Sequence, residues 1–167
     1  MSKKWKLGQA VVTAILIAAV IFCIVVISQV MSRGYVTIAG RSLFRVVTGS
    51  MEPTIPTGSL LISKNIEIEE IERGDIICFR SKESNMLGQV ITHRVIDIVH
   101  SGDGNLYLET CGDANPTADG YYVTDANLIG IVTKYTKSGN LMAKIFSLFT
   151  SKIGFLSCVA IPVLAIA

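Results

Sequence analysis

Gln89-Val90-Ile91-Thr92-His93-Arg94-Val95-Ile96-Asp97-Ile98-Val99 is the stretch that decides the fold; His100, Ser101-Gly102-Asp103-Gly104 and Asn105–Thr110 follow it directly. β-branched residues crowd the first run, and such side chains fit a pleated, half-buried surface better than a helix. The four residues after His100 tolerate positive φ, so they turn the chain back and pair Gln89–Val99 with Asn105–Thr110 as a hairpin. Working outward, the same pattern of short β-type runs between turn residues recurs at Ser42–Val47, Ser59–Ser63, Asp75–Arg80 and Leu128–Tyr135. Pro53 and Pro56 exclude a regular strand directly after Ser50. No amphipathic helix of useful length stands between Ser32 and Gly139. The expected fold is mainly β: an all-β domain carried on an N-terminal transmembrane helix, with a C-terminal hydrophobic helix.

The ends differ in kind from this middle. Half of the 167 residues are hydrophobic and only 17% are charged, and the apolar ones concentrate at the two termini. Lys3, Lys4 and Lys6 precede an almost charge-free run from Leu7 to Met31, longer than the roughly 20 residues that cross a bilayer core. A cleavable leader would have a shorter apolar core and a small-x-small exit, whereas this run ends Ser28-Gln29-Val30-Met31-Ser32. It reads as an anchor, with the lysines on the cytoplasmic side and the polar middle outside; Arg33, Arg41 and Arg45 beyond it weaken that charge bias. A second apolar run, Ile153–Ala167, would reach only about 22 Å as a helix. Either it is short and tilted, with Leu141–Thr150 in the membrane interface, or the sequence stops early. The expected division is 1–31 as cytoplasmic tip and anchor, 32–139 as an extracytoplasmic β domain, and 140–167 as an interfacial or transmembrane segment. The formal net charge of +2 and the lack of a basic stripe argue against a nucleic-acid partner.

Three segments carry chemistry-bearing residues. In Val47-Thr48-Gly49-Ser50-Met51-Glu52-Pro53-Thr54, glycine before and proline after Ser50 suit a sharp turn that presents a hydroxyl and leaves N–H groups free for an oxyanion. On the residues alone this is only a turn with a serine in it. His93, in a hydrophobic strand, is by default a satisfied core residue, yet histidine is also the usual general base near neutral pH. The other histidine, His100, reads as a solvated turn residue. The third segment, Cys111-Gly112-Asp113-Ala114-Asn115-Pro116-Thr117-Ala118-Asp119-Gly120, is either a loop of ordinary turn formers or the source of a carboxylate that orients an imidazole. Of the four cysteines, Cys23 and Cys158 sit in the apolar runs; Cys78 and Cys111 read as buried free thiols rather than a disulfide, since two cysteines make no framework. No Cys/His spacing suggests a metal, and no cofactor is expected.

Gly49-Ser50-Met51-Glu52-Pro53-Thr54, then His93-Arg94-Val95, then Gly112-Asp113 with Asn115 and Asp119, together resemble the type I signal peptidases. Histidine before the arginine resembles the endoplasmic-reticulum branch, found also in archaea and in SipW-like enzymes of Gram-positive bacteria; the bacterial housekeeping branch has lysine there. The resemblance runs from about Arg45 to Val132. It implies Ser50 as nucleophile, His93 as general base and later acid, Asp119 completing a triad, and Asp113 as a supporting carboxylate. It also implies that the Thr48 hydroxyl joins the Ser50 N–H in an oxyanion hole. Ala114 and Pro116 depart from the commonest form of the third motif.

The activity implied is acyl transfer by a membrane-bound serine endopeptidase that removes signal peptides from secretory preproteins, cutting after small residues. It would work at the lipid bilayer of the cell or endoplasmic-reticulum membrane. Two other readings compete: an anchored β domain that binds a surface partner, and a Ser/Lys protease using a lysine elsewhere, such as Lys134. The first leaves all three motifs as coincidence; the second is disfavoured by histidine at the family's lysine position.

Overall fold

The computed structural model describes residues 3–102, 104–137 and 139–151. The apolar run at Ile153–Ala167, with Cys158, lies outside the described residues. α1 (Lys3–Arg33) is followed by β1 (Val36–Ile38), β2 (Arg41–Arg45), β3 (Leu60–Lys64), a 3₁₀ turn (Ile68–Glu70), β4 (Ile76–Arg80), β5 (Val90–His100), β6 (Leu106–Cys111), β7 (Leu128–Tyr135) and α2 (Leu141–Thr150). The strands form one antiparallel sheet in the order β1-β2-β3-β7-β4-β5-β6. The mainly β architecture matches the sequence expectation, with β3 to β6 displaced by a single residue at one or both ends. Two differences are larger: β1 is an additional three-residue edge strand, and β2 spans Arg41–Arg45 rather than Ser42–Val47.

Leu7–Arg33 is long and apolar enough to cross a membrane, and none of its most apolar window is covered by the rest of the chain. Such an uncovered apolar helix suits an apolar surrounding. Its end is well defined. Gly34, at φ 82°, donates to the Val30 carbonyl at 2.9 Å in a left-handed C-terminal cap. The Gln29 side chain then accepts from the Thr37 N–H at 2.7 Å, tying the helix end to β1.

Successive residues of β4 alternate between two cores, as the pleat requires. Ile77 and Phe79 face a cluster with Ile68, Ile71, Val95, Leu108 and Val123, whereas Cys78 faces Phe44, Met51, Ile55 and Leu61. Burying a side chain such as Phe79 contributes about 2–3 kcal/mol. Met51 and Ile55 are not strand residues. They come from the loop after β2, so the second core also fixes the loop that carries Ser50. In β5 the pairing to β6 shifts between Val95 and Asp97. That bulge lets Val95 and Ile98 pack in the same cluster despite their odd spacing. The β5–β6 hairpin is closed by Ser101 N–H to the Asn105 carbonyl at 3.0 Å and by Gly104 at φ 83°. His100 is exposed, as expected, but it is the last ladder residue of β5, opposite Leu106, rather than a turn residue.

Candidate active site

The loop after β2 is tied at its neck by Val46 N–H to Ser59 O and Gly58 N–H to Val46 O, both 2.9 Å. Inside it, Glu52 N–H meets Gly49 O at 3.0 Å and Ile55 N–H meets Met51 O at 2.8 Å, a tight turn that contains Ser50 and a second directly after it. Met51 and Ile55 are 2% and 0% exposed and pin the loop inward. The Glu52 carboxylate accepts from both the N–H and the hydroxyl of Thr57, at 3.1 and 2.8 Å, which holds its pKa below the ordinary value. Ser50 is thus presented by a loop whose conformation is fixed on both sides.

β5 supplies the partner. His93 lies opposite Ile77 of β4, on the face of the first core, with its ring edge-on to Phe79 at 6.2 Å. It is 5% exposed. Its Nε2 lies 3.1 Å from Ser50 Oγ, and its Nδ1 lies 2.7 Å from Asp119 Oδ2. A carboxylate can only accept, so Nδ1 carries the proton and the Nε2 lone pair faces the serine hydroxyl. Thr48 Oγ1 stands 3.4 Å from Ser50 Oγ.

The two aspartates of the third segment have separate partners. Asp113 forms a two-pronged pair with Arg94, Nε to Oδ1 at 2.9 Å and Nη2 to Oδ2 at 2.7 Å. The Arg94 hydrogen bonds and a further one from Thr54 hold the Asp113 carboxyl below the usual carboxylate range. Arg94 Nη1 also donates to Gly74 O at 2.8 Å, fastening this loop to the turn before β4. Only Asp119 reaches His93. The loop is drawn onto Ser50 by Ala114 N–H, which donates to the Ser50 carbonyl at 2.9 Å. A Cβ at Gly112 would lie 2.5 Å from Ser50 O and 2.9 Å from both His93 Nε2 and Asn115 Nδ2, so only glycine fits there. Cys78 and Cys111 are free thiols. Cys78 is buried and its pKa is pushed up to about 12, while Cys111 is only half-buried, with its Sγ 3.1 Å from Thr117 O. Among the described residues no group of three or more His, Cys, Asp and Glu gathers to hold a metal ion.

Lys134 is exposed on β7 opposite Ile62 and does not line the cleft beside Ser50. That cleft, about 700 Å³, is walled by apolar side chains including Phe44, Val46, Leu61 and Val90, and it extends from Ser50 and His93 to Ser32–Gly34 at the end of α1. Sequence reasoning passed over Arg94, Gly112 and Thr110. Thr110, fully buried on β6, donates from Oγ1 to Asp119 Oδ2 at 2.6 Å. The first two lay within recognised motifs; Thr110 carried no signal beyond its place in a strand.

A family model for signal peptidase, peptidase S26, matches residues 5–109, more than half of the chain. Signal peptidase I W of Bacillus subtilis is 38% identical over 110 residues, covering 65% of this chain and 55% of the relative. The human signal peptidase complex catalytic subunit SEC11C is 31% identical over 101 residues, covering 59% and 51%. The SEC11 catalytic subunit of Scheffersomyces stipitis is 34% identical over 88 residues, covering 53% and 50%. The chain thus spans about half the length of these curated relatives.

Proposed function

The chain belongs to the signal peptidase family, peptidase S26, and from that premise we propose that it is a membrane-anchored serine endopeptidase that removes N-terminal signal peptides from secretory precursors. The observation that carries this reading is the continuous contact from Asp119 through His93 to Ser50, at 2.7 and 3.1 Å. In it Ser50 is the nucleophile, His93 the base and Asp119 the group that orients the imidazole. Ser50 Oγ bonds to the scissile carbonyl carbon as His93 Nε2 takes the hydroxyl proton. The tetrahedral oxyanion is held by the Ser50 N–H and the Thr48 hydroxyl, each strong donor being worth about 3–4 kcal/mol in such sites. His93 then hands its proton to the leaving amine, and the C–N bond breaks. Water, deprotonated by His93 in turn, cleaves the acyl-enzyme and regenerates Ser50.

The membrane gives the anchor its purpose. α1 would confine the enzyme to the bilayer in which signal peptides insert, raising effective concentration. The cleft reaches the end of α1 at Ser32–Gly34, which suits a peptide arriving from the membrane surface in an extended form. In this reading 1–31 is the cytoplasmic tip and anchor, with Lys3, Lys4 and Lys6 inside. Residues 32–139 form the catalytic domain on the extracytoplasmic side of the cell or endoplasmic-reticulum membrane, and 140–167 is an interfacial or transmembrane segment.

The test is direct. Membranes holding the full chain are incubated with a secretory precursor carrying small residues at the first and third positions before the mature start. A single cleavage is expected from the wild type and none from Ser50→Ala, which removes one hydroxyl and leaves the fold intact. Equal cleavage by both would end this reading. Gly112→Ala probes the same geometry. The added methyl would meet Ser50 O and His93 Nε2, and a displacement of about 1 Å is enough for a loss of roughly 100-fold. Wild-type kcat/KM in Gly112→Ala would show that the close approach of this loop to Ser50 is dispensable.

A further inference from the structure

We propose that Thr110 is a positioning residue of this site, its buried hydroxyl locking the Asp119 carboxylate against His93. The inference rests on the reading of Ser50, His93 and Asp119 given above. Asp119 belongs to no strand; it lies in the irregular segment that follows β6. Besides His93, two ties hold it among the described residues, and both lead to Thr110. Its N–H donates to the Thr110 carbonyl at 2.7 Å, and its Oδ2 accepts the Thr110 hydroxyl at 2.6 Å. The same Oδ2 stands 2.7 Å from His93 Nδ1. The sheet explains the convergence. Thr110 pairs with Val95 on β5, and Val95 shares its face with His93 two residues earlier, so the threonine and the histidine approach one carboxylate oxygen from neighbouring strands.

Thr110 is 0% exposed, so no water stands ready to replace its hydroxyl as a donor. A hydroxyl facing a carboxylate must donate. Two consequences follow. The tie fixes the side-chain torsion of Asp119, and with it the ring orientation that keeps Nε2 on Ser50. It also gives Oδ2 a second fixed donor beside His93 Nδ1, so the carboxylate is kept from turning away from the ring. Other titratable groups near this cluster are Cys111 at the end of β6, Asp113 in the loop and Tyr121 beyond Asp119, while Arg94, on the opposite face of β5, turns to Asp113. None of them changes in a Thr110 variant.

The experiment compares Thr110→Val, which keeps shape and loses the hydroxyl, with Thr110→Ser, which keeps the hydroxyl. Both are assayed in the full chain in membranes, on the same precursor. For Thr110→Val we expect kcat to fall about 10- to 100-fold with KM little changed. Thr110→Ser should restore kcat. If Thr110→Val does not fold, Thr110→Ala removes the same hydroxyl and carries the same test. Wild-type kcat in the hydroxyl-free variant would overturn the proposal, as would a loss confined to KM or a serine variant no better than valine. Activity surviving in Ser50→Ala would instead bring down the reading on which the proposal stands.

Discussion

Replacing His93 by alanine is expected to lower kcat on the order of 10⁶-fold, and adding Ser50→Ala to it should lower kcat hardly further. A hydroxyl is a weak nucleophile until its proton has somewhere to go. In the proposed reaction the acceptor is His93 Nε2, 3.1 Å from Ser50 Oγ. Remove the imidazole and the serine is inert, so the two losses are one loss measured twice. In that role the imidazole must be neutral to accept the proton. A lysine in its place should not restore function, because Asp119 would face the ammonium directly and hold it charged. The readout is single-turnover cleavage of a precursor by each variant and by the double variant. Additive losses, or a His93→Ala enzyme near wild-type rate, would mean that the base lies elsewhere.

Much of this was legible in the chain before folding, and the illegible parts share a cause. The β5–β6 hairpin was legible because β-branched residues and a glycine-rich turn are local signals. The β2 boundary was not. Val46 and Val47 continue the apolar β-branched pattern, and Val46 N–H still bonds Ser59 in the β2–β3 register, but Gly58 N–H takes the Val46 carbonyl, so two residues oppose one and the ladder ends at the neck of the Ser50 loop. β1 is too short to show a period. The bulge between Val95 and Asp97 hides because apolar Val95, Ile96 and Ile98 read as strand in either phase. In the site, the motifs named Ser50, His93 and both aspartates. They could not reveal that Arg94, next to the histidine but on the opposite face of β5, takes Asp113 for itself. Nor could they reveal the support of Thr110, which exists only once the segment after the loop has folded back along β6.

The division of labour between the two aspartates leads to the second large effect. Asp119→Ala is expected to lower kcat about 10⁴-fold, the scale seen when the orienting carboxylate of a serine protease is lost. Without it nothing holds the imidazole with Nε2 toward Ser50, and the imidazolium formed in the transition state loses its counter-charge. Asp113 should behave differently. Its carboxylate is spent on Arg94, through bonds of 2.9 and 2.7 Å, so Asp113→Asn should lower kcat less than about tenfold. Its main effect should be on stability, about 1 kcal/mol for a part-exposed pair of good geometry. The pH dependence separates the two roles. Arg94 holds the Asp113 pKa below its ordinary value, which is about 3.9 for aspartate. A depressed carboxylate contributes stability that is fully present above that ordinary value and lost as pH falls through the lower, folded one. The melting temperature of wild type should therefore exceed that of Asp113→Asn throughout the neutral range, and the gap should close only in acid below about pH 4. Melting curves and precursor cleavage, measured on both variants, decide the matter. If Asp119→Ala cleaves normally while Asp113→Asn is dead at an unchanged melting temperature, the orienting role belongs to Asp113, and the contact of Asp119 with His93 is merely structural.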